Sequence, residues 1–382
     1  MIIRVFQPFT NNDTEGANVQ TFQNRQKSVI VDEIISYDVT RKWCGSGSFS
    51  ILLPLTKRNL TVLQVGYILA VDGMTVNADW LIINEVSYDT QSCKITVTGK
   101  DLNSLLSLRR TVFGSEQEAG AQGYDIVSGT TAECVEHYLE NNMISPVDTE
   151  RTMPHFTFLS SSAAGIQNDS YMSRLEDLEM VVEDLCSNAN LGYRIYGRAA
   201  NNWDDYVFRL LQGTDRSVEQ SSNPVVILSG VFQNIVGANF THSVNNYYNA
   251  AYATGANDIT QTVYRDSNTP VGYSRRETAI DVGDVGVSDI RQYALYQLRD
   301  NIAVSSVSVN IREGIYGSKF TLGDTVTAQD DLTGNLFTGV VTEVQKSISG
   351  TAQKTSITLG SGSQKLLNRI VTGIYNGTIR RR

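Results

Sequence analysis

The sequence predicts a β-rich α+β protein of several domains, and three observations lead to this fold class. The chain of 382 residues is longer than one hydrophobic core usually supports. Hydrophobic residues make up 41% of the chain and charged residues 19%, which is typical of a chain that folds. Short segments rich in Val, Ile, Thr and Tyr, separated by glycines, occupy both ends of the chain and favour β-strands there.

The first 110 residues carry mainly strand patterns. Four segments are short, rich in β-branched and aromatic residues, and bounded by Gly, Asn or Asp: SFSILLPLT (48–56), GYILAVDG (66–73), DWLIINEVSYD (79–89) and KITVTG (94–99). This spacing is typical of a small barrel or sandwich. Residues 1–110 are therefore predicted to form a first β-barrel domain, in which a strand ends at Gly99 and a helix begins after Asp101.

Helical periodicity appears in the middle of the chain. The segment TTAECVEHYLENNM is predicted to be a helix capped by Thr130 or Thr131, and residues 173–186 are predicted to be a second helix that Gly192 closes. The apolar face of the second helix would consist of Leu175, Leu178, Val182 and Leu185. The segments YRIY and YVFRLL follow as a predicted hairpin. Residues 111–222 should therefore form a peripheral α+β domain.

Strand patterns return in the last third of the chain and predict a second β-barrel domain, formed by residues 223–260 and 302–362. Residues 261–301 between them should form a small helical insertion, with a helix over 288–301. The buried stripe of this helix would be Ile290, Ala294 and Leu298. The strand pattern stops after residue 362, so residues 363–382 are predicted to be a docking tail. The apolar face of this tail would be Leu366, Leu367 and Ile370.

The two strand-rich regions are alike in the order and spacing of landmark residues. The landmarks are Gly66, Glu85 and Gly99 in the first region, and Gly323, Glu343 and Gly360 in the second. The first glycine precedes the glutamate by 19 residues in the first region and by 20 in the second, and a valine follows each glutamate. One explanation is that hairpins look alike, because turn glycines and alternation recur in many sheets. The preferred interpretation is an internal repeat of one barrel.

Composition excludes several classes of function. The formal net charge of −9 argues against nucleic acid binding over the whole surface, because such binding needs a basic stripe that releases counterions. No run of about 18 apolar residues occurs, so no membrane segment is predicted. The four cysteines contain no C-x-x-C pair, which fits reduced thiols made in a cytoplasm.

Motifs for catalysis or metal binding are sparse. The pair Gly99–Lys100 does not indicate a phosphate-binding loop, because Lys94 and Asp101 occupy positions where that motif needs Gly and Ser or Thr. The segment GSGSF (45–49) lacks the last glycine of the serine hydrolase motif. The three histidines have no metal-ligand spacing: His137, His155 and His242. We therefore predict no catalytic residues, no metal site and no cofactor.

The acidic residues of the predicted second helix have two interpretations. Glu176, Glu179 and Glu183 recur at helical spacing and could in principle form a carboxylate pair. A solvated outer face is the preferred interpretation, because charged residues on an amphipathic helix usually face water.

Several segments in sequence order carry a resemblance to a known family. They are SFSILLPLT, WLIINEVSYD with KITVTGKDLNSLLSLR, LEDLEMVVEDLCSNANLGYRIY, VFRLLQGTDRS with VVILSGVFQNI, NNYYNAAYATG and GYSRRE. In these segments the chain resembles the distal tail hub proteins of long-tailed bacteriophages. That family includes the N-terminal part of tail-associated lysins and shares its fold with the baseplate hub of contractile tails. The likeness extends to about Gly360.

The resemblance implies a ring-forming homotrimer of two barrel-like tube domains and peripheral domains. Its partners would be the hexameric distal tail protein, the tape measure protein, and receptor-binding or fibre proteins. Genome DNA would pass through its channel without specific binding. The expected location is the tail tip of a virion, after assembly in the host cytoplasm.

The alternative function is a cell-wall hydrolase or carbohydrate-binding module of the tail tip. Such a hydrolase would need a cleft with paired carboxylates, which the sequence does not place. Many relatives carry a lysin or fibre-like extension, whereas this sequence ends at Arg382. The sequence therefore favours the structural role over hydrolysis.

Overall fold

The computed structural model of the chain describes most residues up to position 360. The described residues are 2–6, 29–73, 78–113, 125–160, 162–198, 205–245, 247–255, 259–265, 269–281, 290–291, 294–295, 298, 304–350 and 352–360. Contacts divide the chain into two compact units. Unit 1 comprises Met1–Ala238 and Ser308–Leu359, and unit 2 comprises Asn239–Val307 and Gly360–Arg382. Unit 2 thus includes a segment inserted into unit 1.

The described residues form many strands and few helices, which confirms the prediction of a β-rich fold. The strands before residue 200 are β1 (Ile3–Phe6), β2 (Val29–Val31), β3 (Ser36–Lys42), β4 (Ser48–Pro54), β5 (Ile68–Val71), β6 (Asp79–Asp89), β7 (Lys94–Asp101), β8 (Asp125–Thr130), β9 (Phe156–Leu159), β10 (Gln167–Ser173) and β11 (Leu191–Arg198). The later strands are β12 (Asp205–Gln212), β13 (Ile227–Leu228), β14 (Ile235–Ser243), β15 (Ala250–Thr254), β16 (Thr260–Tyr264), β17 (Glu277–Asp281), β18 (Val304–Ile311), β19 (Thr325–Gln329), β20 (Leu336–Ser349) and β21 (Ala352–Gly360).

Helices are short in the described part of the chain. The α-helices are α1 (Lys57–Val62), α2 (Thr131–Leu139) and α3 (Leu178–Asn188), and a π-helical turn (Glu140–Ile144) continues α2. The 3-10 helices are Leu102–Leu108, Thr149–Arg151 and Gly272–Ser274. None of the helices in the described residues is long and apolar enough to span a membrane.

One sheet of 13 strands contains two sets of strands with the same topology. The neighbour order is β14-β18-β21-β20-β3-β4-β7-β6-β5-β1-β2, and β19 pairs with β20 and with β13. Counted along the chain, the first strand set (β3 to β7) and the second strand set (β14 and β18 to β21) both lie in the order first, second, fifth, fourth, third. Over the described residues this path of strands does not close on itself, and β20 joins the two sets by pairing with β3.

Alternation of apolar and polar residues builds the core of the first strand set. On β4 the side chains of Phe49, Ile51 and Leu53 are buried while their neighbours are partly exposed. In the β4–β7 ladder Ile51 lies opposite Val97, and Leu53 lies opposite Ile95. Cross-strand pairs of this kind stabilise a sheet when one face is buried. The alternation also fixes the register, because a slip by one residue would turn these side chains toward water.

The α/β region of unit 1 has its own small sheet, in which β12 lies between β11 and β9. Helix α2 begins with the predicted cap: the Thr130 hydroxyl accepts from the Glu133 amide, and the Glu133 carboxylate accepts from the Thr130 amide. This capping box satisfies two backbone amides that the helix leaves free. The predicted hairpin is also confirmed, since β11 and β12 pair antiparallel from Leu191 to Arg198.

The second predicted helix begins later than its pattern indicates. Helix α3 starts after Asp177, whose carboxylate accepts from the Glu179 amide at 3.0 Å. Residues up to Ser173 instead form β10, which pairs with β8. Leu175, predicted on the apolar face, is 64% exposed and has a φ of 56°. The Leu175 amide donates to the carbonyl of Thr111 at 2.9 Å, so a bond to a distant residue overrides the local helical pattern. Gly192, predicted to end the helix, lies inside β11.

The predicted break at Gly99 is also wrong. Strand β7 continues through Gly99 to Asp101, and the helix that follows is a 3-10 helix rather than an α-helix. A Cβ at Gly99 would overlap the carbonyl oxygen of Ile82 on β6. Glycine at this position therefore permits the close approach of two strands rather than a turn.

Unit 2 is a small α/β body. Strand β15 pairs antiparallel with β16 and parallel with β17. Ile290, Ala294 and Leu298 are fully buried and pack on the sheet residues Val263 and Ile280. The predicted helical stripe is thus confirmed as buried at these three residues, as expected for a helix that covers one face of a sheet. The contact-defined ends of unit 2 differ from the sequence boundaries at 261 and 301.

Candidate assembly site

The landmark residues of the first strand set hold one backbone arrangement. Gly66 has a φ of 84°, which glycine adopts without strain, and its amide donates to the carbonyl of Ile83 at 2.7 Å. The Ile83 amide returns a bond to the carbonyl of Tyr67 at 2.9 Å. Glu85 follows on β6 after a bulge, and Gly99 lies opposite Ile83 on β7. The turn before β5 is thereby fixed to the middle of β6.

The landmarks of the second strand set hold the same arrangement. Gly323 has a φ of 91°, and its amide donates to the carbonyl of Val341 at 2.9 Å. The Val341 amide returns a bond to the carbonyl of Asp324 at 2.9 Å. Glu343 follows two residues later on β20, and Gly360 ends β21. The two sets therefore share one hydrogen-bond pattern. The turn glycine donates to a strand residue two positions before the glutamate, and that strand residue donates to the residue after the glycine.

Trp43 occupies the junction where β3, β11 and β20 meet. Its amide donates to the carbonyl of Thr342 at 2.9 Å, and its carbonyl accepts from the amide of Tyr193 at 3.2 Å. Its ring is 5% exposed and lies against the backbone of Gly192 and Gly323, where an added Cβ would overlap the ring. The two glycines therefore admit a large aromatic ring between two segments distant in sequence.

A buried ion pair ties β3 to the start of β6. The Arg41 guanidinium and the Tyr37 hydroxyl donate to different carboxylate oxygens of Asp79, the Tyr37 bond measuring 2.9 Å. Burial alone would raise the pKa of Asp79, but the Arg41 charge and the hydrogen bonds from Arg41 and Tyr37 hold that pKa below its ordinary value. Asp79 is therefore a satisfied structural carboxylate, because both oxygens have partners.

Acidic residues hold the loop between β3 and β4. The amide of Ser46 donates to the Glu179 carboxylate at 2.7 Å, and the Asn103 side chain donates to the carbonyl of Gly45 at 3.0 Å. A Cβ at Gly45 would overlap the Glu183 carboxylate. Glu179 is buried, so the predicted solvated face of this helix is wrong. The Ser46 amide takes the place of water as the partner of the Glu179 carboxylate, and no sequence pattern reveals this contact.

Glu176 lies outside helix α3 and is also half-buried. Its carboxylate accepts from the Ser173 hydroxyl at 2.9 Å. Burial raises the pKa of Glu176 to about 7, the Ser173 bond opposes this shift, and the charge of Asp184 adds to it. Burial likewise raises the pKa of Asp184 to about 6. Burial and the charge of Asp184 thus act together to raise the pKa of Glu176. Ser173 and Asn188 supply hydrogen bonds to the two carboxylates.

Asp101 at the end of β7 is a buried carboxyl with an incomplete set of partners. One of its oxygens, Oδ1, has no hydrogen-bond partner among the described residues. Burial raises the pKa of Asp101 to about 7, and a backbone bond at Gly47 and the charge of Arg194 oppose the shift only in part. Such a group destabilises the fold when it is ionised.

The histidines do not converge on one site. His137 on α2 contacts the buried Asp125 carboxylate, with 2.7 Å between Nε2 and Oδ1. His155 lies in a turn with a φ of 60°, and His242 lies on β14. The described residues contain no group of three or more His, Cys, Asp or Glu placed to hold a metal ion. The predicted docking-tail residues fall outside the described part of the chain: Leu366, Leu367 and Ile370.

The second half of β6 is an edge that sequence reasoning missed. From Glu85 to Asp89 this strand pairs with β7, and over the described residues it has no neighbour on its other side. Tyr88 is 58% exposed there. Strand β14 is the corresponding open edge of the second strand set, with β18 as its one neighbour among the described strands. Val236 on β14 is 76% exposed.

Comparison with known families identifies the chain. The sequence profile of the family described as Siphovirus ReqiPepy6 Gp37-like protein matches residues 23–361. The chain belongs to this family. The comparison with curated proteins found no match.

Solved structures share the fold of this Gp37-like chain. A tail protein from Neisseria meningitidis is 14% identical with a TM-score of 0.52, over 90% of this chain and 96% of that one. The 43 kDa tail protein of prophage MuSo2 from Shewanella oneidensis is 11% identical with a TM-score of 0.54, over 96% and 97%. Prophage tail protein gp18 from Listeria monocytogenes is 11% identical with a TM-score of 0.50, over the full length of both chains. The predicted resemblance to phage tail proteins is therefore confirmed at the level of the fold.

Proposed function

We propose that this Gp37-like protein is a structural hub at the distal end of a phage tail or of a tail-derived particle. The observation that carries the proposal is the presence, in one chain, of two strand sets with the same topology and the same glycine-centred hydrogen bonds. A chain with two similar barrel-like units presents two similar surfaces, so three chains present six.

The working unit is a homotrimer with approximate sixfold symmetry around a channel. Cyclic closure needs head-to-tail contacts, so the first unit meets the second both within a chain and between chains. A ring of this kind adapts a hexameric tube to a trimeric tip. The partners are therefore the distal tail protein hexamer on one side and receptor-binding or fibre proteins on the other, with the tape measure protein inside the tube.

The finer division of the chain follows this role. Residues 1–110 form the first tube domain, and residues 223–260 with 302–362 form the second. Residues 111–222 and 261–301 form peripheral parts, and residues 363–382 dock the next component of the tip. Deleting residues from Ser363 onward should leave the fold intact and weaken that assembly step. A truncated chain that fails to fold would place this segment in the core instead.

The channel passes genome DNA without specific contacts. The net charge of −9 supports this, because a neutral or acidic lumen does not retain the phosphate backbone. The protein acts in the tail tip of the particle after assembly in the host cytoplasm.

Native mass spectrometry and a reconstruction of the assembled tail test the proposal. The expected results are a trimer, and a ring in which residues 66–99 and 323–360 lie at the same radius. A stable monomer or dimer within tails would overturn the trimer, and unrelated radii would overturn the two equivalent units.

The hub has no hydrolase activity in this proposal. Two of its buried acids are engaged in structural contacts: the Asp79 carboxylate binds Arg41, and the Glu179 carboxylate accepts from the Ser46 amide. Purified protein should leave peptidoglycan intact in a zymogram. Lysis that persists through purification would instead favour the cell-wall hydrolase, and retention on immobilised glycan would favour the carbohydrate-binding module.

A further inference from the structure

Strand β20 uses one of its edges for two different neighbours. Its first part, Leu336–Val340, pairs antiparallel with β19. Its second part, Glu343–Ser349, pairs antiparallel with β3, and Glu343 lies opposite Lys42. The second pairing joins the second strand set to the first. The β20–β3 pairing therefore shows how the edge of one strand set can pair with the edge of another.

Strand β6 has the same position in the first strand set, but half of this edge has no neighbour among the described residues. Its first part, Asp79–Ile82, pairs with β5 as the first part of β20 pairs with β19. Its second part begins at Glu85, the counterpart of Glu343, and among the described residues it pairs on one side with β7. The place that β3 takes beside β20 has no occupant beside β6 in the described chain.

The backbone groups of this free edge point outward at alternate residues. Ile83 bonds to the turn before β5, so its amide and carbonyl face away from β7. After the bulge the ladder continues with Glu85 opposite Thr98 and Val86 opposite Val97. Because antiparallel pairs alternate between bonded and non-bonded, Glu85 faces β7, and Val86 and Tyr88 face the open edge. An edge with free amides and carbonyls is a template for another strand.

The open edge at the other end of the sheet complements it. Strand β14 holds in the second strand set the position that β3 holds in the first. Its segment in unit 1, residues 235–238, exposes Val236 and Ala238. The open edge of β6 corresponds to the paired edge of β20, and the open edge of β14 corresponds to the paired edge of β3. The two open edges could therefore pair with each other as β20 pairs with β3.

We propose that the second half of β6, Glu85–Asp89, pairs antiparallel with residues 235–238 of β14 from a second copy of this chain. The pairing repeats between chains the β20–β3 pairing within a chain. Three such seams alternate with three internal β20–β3 seams and close the ring. The inference rests on the proposed trimer and names its contact.

A proline at an outward amide tests the seam. Tyr88→Pro removes an amide hydrogen that faces the open edge, and it leaves the β7 ladder with all its donors. The matched control Tyr88→Thr removes the same ring and keeps the amide. Sedimentation of the full chain at serial dilutions should show that the trimer of the proline variant dissociates at about tenfold higher protein concentration than the trimer of the control. The reason is that the loss of one hydrogen bond weakens association by about tenfold.

Cross-linking gives a second measurement that does not depend on the proline variant folding. In a Cys93→Ser background, Ser87→Cys is combined with Val236→Cys or with Gly237→Cys, which point to opposite faces of β14. A short bis-maleimide should then link chains into dimers and trimers in one of the two combinations. The internal control combines Asp38→Cys with Ser347→Cys, which are opposite each other in one chain and should give no larger species.

The outcomes separate the seam from the trimer. A wild-type chain that stays monomeric at all concentrations would overturn the trimer and the seam together. A wild-type trimer that survives Tyr88→Pro and yields no linked chains in either combination would overturn the seam and leave the trimer standing. Loss of the trimer with Tyr88→Pro but not with Tyr88→Thr, together with linked chains, would support both.

Discussion

The first and second strand sets share a backbone plan and differ in what surrounds it. Gly66 and Gly323 make equivalent hydrogen bonds, but Gly323 lies against the ring of Trp43. The next residue is the partly exposed Tyr67 in the first set and the buried Asp324 in the second. Strand β20 of the second set pairs with β3, whereas the matching half of β6 has no second neighbour in the described chain. One backbone plan is therefore found in two different surroundings.

The largest effect that would test this comparison is expected at Gly323. Gly323→Ala adds a Cβ that overlaps the buried Trp43 ring and puts alanine at a φ of 91°. Overpacking and backbone strain together should lower the free energy of unfolding by about 3–5 kcal/mol. Urea titration followed by circular dichroism measures this.

The control is a second glycine-to-alanine substitution with similar backbone strain and no overlap between the added Cβ and another atom. Gly314→Ala has a φ of 82° and no atom within 4 Å of the added Cβ. It should lower the free energy of unfolding by about 1 kcal/mol. Equal losses for the two variants would show that the Trp43 contact does not distinguish the second set.

A smaller effect, which depends on pH, should come from Asp101 at the end of the first set. Its folded pKa is raised to about 7, so its stabilising contribution is complete below the unfolded pKa, about 4, and is lost as pH rises through 7. The free energy of unfolding should fall by on the order of 2 kcal/mol from pH 5 to pH 8 through this group. Asp101→Asn should remove that part of the fall.

Other buried acids also change the free energy of unfolding with pH. Glu176 and Asp184 also have raised pKa values, so a fall between pH 5 and pH 8 should remain in the variant. Asp79 has a lowered pKa and acts in the opposite direction, since its contribution is lost as pH falls below about 4. An identical pH profile for wild type and Asp101→Asn would contradict the prediction.

The smallest effect on stability is expected at the residue after the turn glycine, which is Tyr67 in the first set and Asp324 in the second. The Asp324 carboxylate accepts from the amide of Thr214 at 2.8 Å and from the Arg216 guanidinium at 3.1 Å. Asp324→Asn should lower the free energy of unfolding by about 1–2 kcal/mol, because one acceptor oxygen becomes an NH₂ group that faces another donor. Tyr67→Phe at the matching position should change it by less than about 0.5 kcal/mol. Thermal melts of both variants would show whether the second set depends more on this position.

Local patterns in the sequence were sufficient for several elements. Alternation predicts β6 with its observed bounds, and Thr130, one of the two predicted caps, is the residue that caps α2. The stripe of Ile290, Ala294 and Leu298 predicted a buried helical face. Each of these signals involves residues within a few positions of one another, where propensity and periodicity act directly.

Other predictions are wrong because one residue type serves two purposes. The sequence patterns predict a break at Gly99 and a helix end at Gly192, yet both glycines permit close approach to another segment. The helical pattern predicts that Glu179 is solvated, yet its carboxylate accepts from the amide of Ser46. A sequence shows that a residue is small or charged, but the segment it faces is set by folding.

The strand-rich fold class, the turn glycines Gly66 and Gly323 and most of the local elements can be predicted from sequence alone. Three contacts depend on the folded chain: the Trp43 ring fills the junction, Arg41 neutralises Asp79, and β20 pairs with β3. These contacts join residues tens to hundreds of positions apart. They arise because burial of apolar surface selects among many chain arrangements at once, and no local pattern carries that selection.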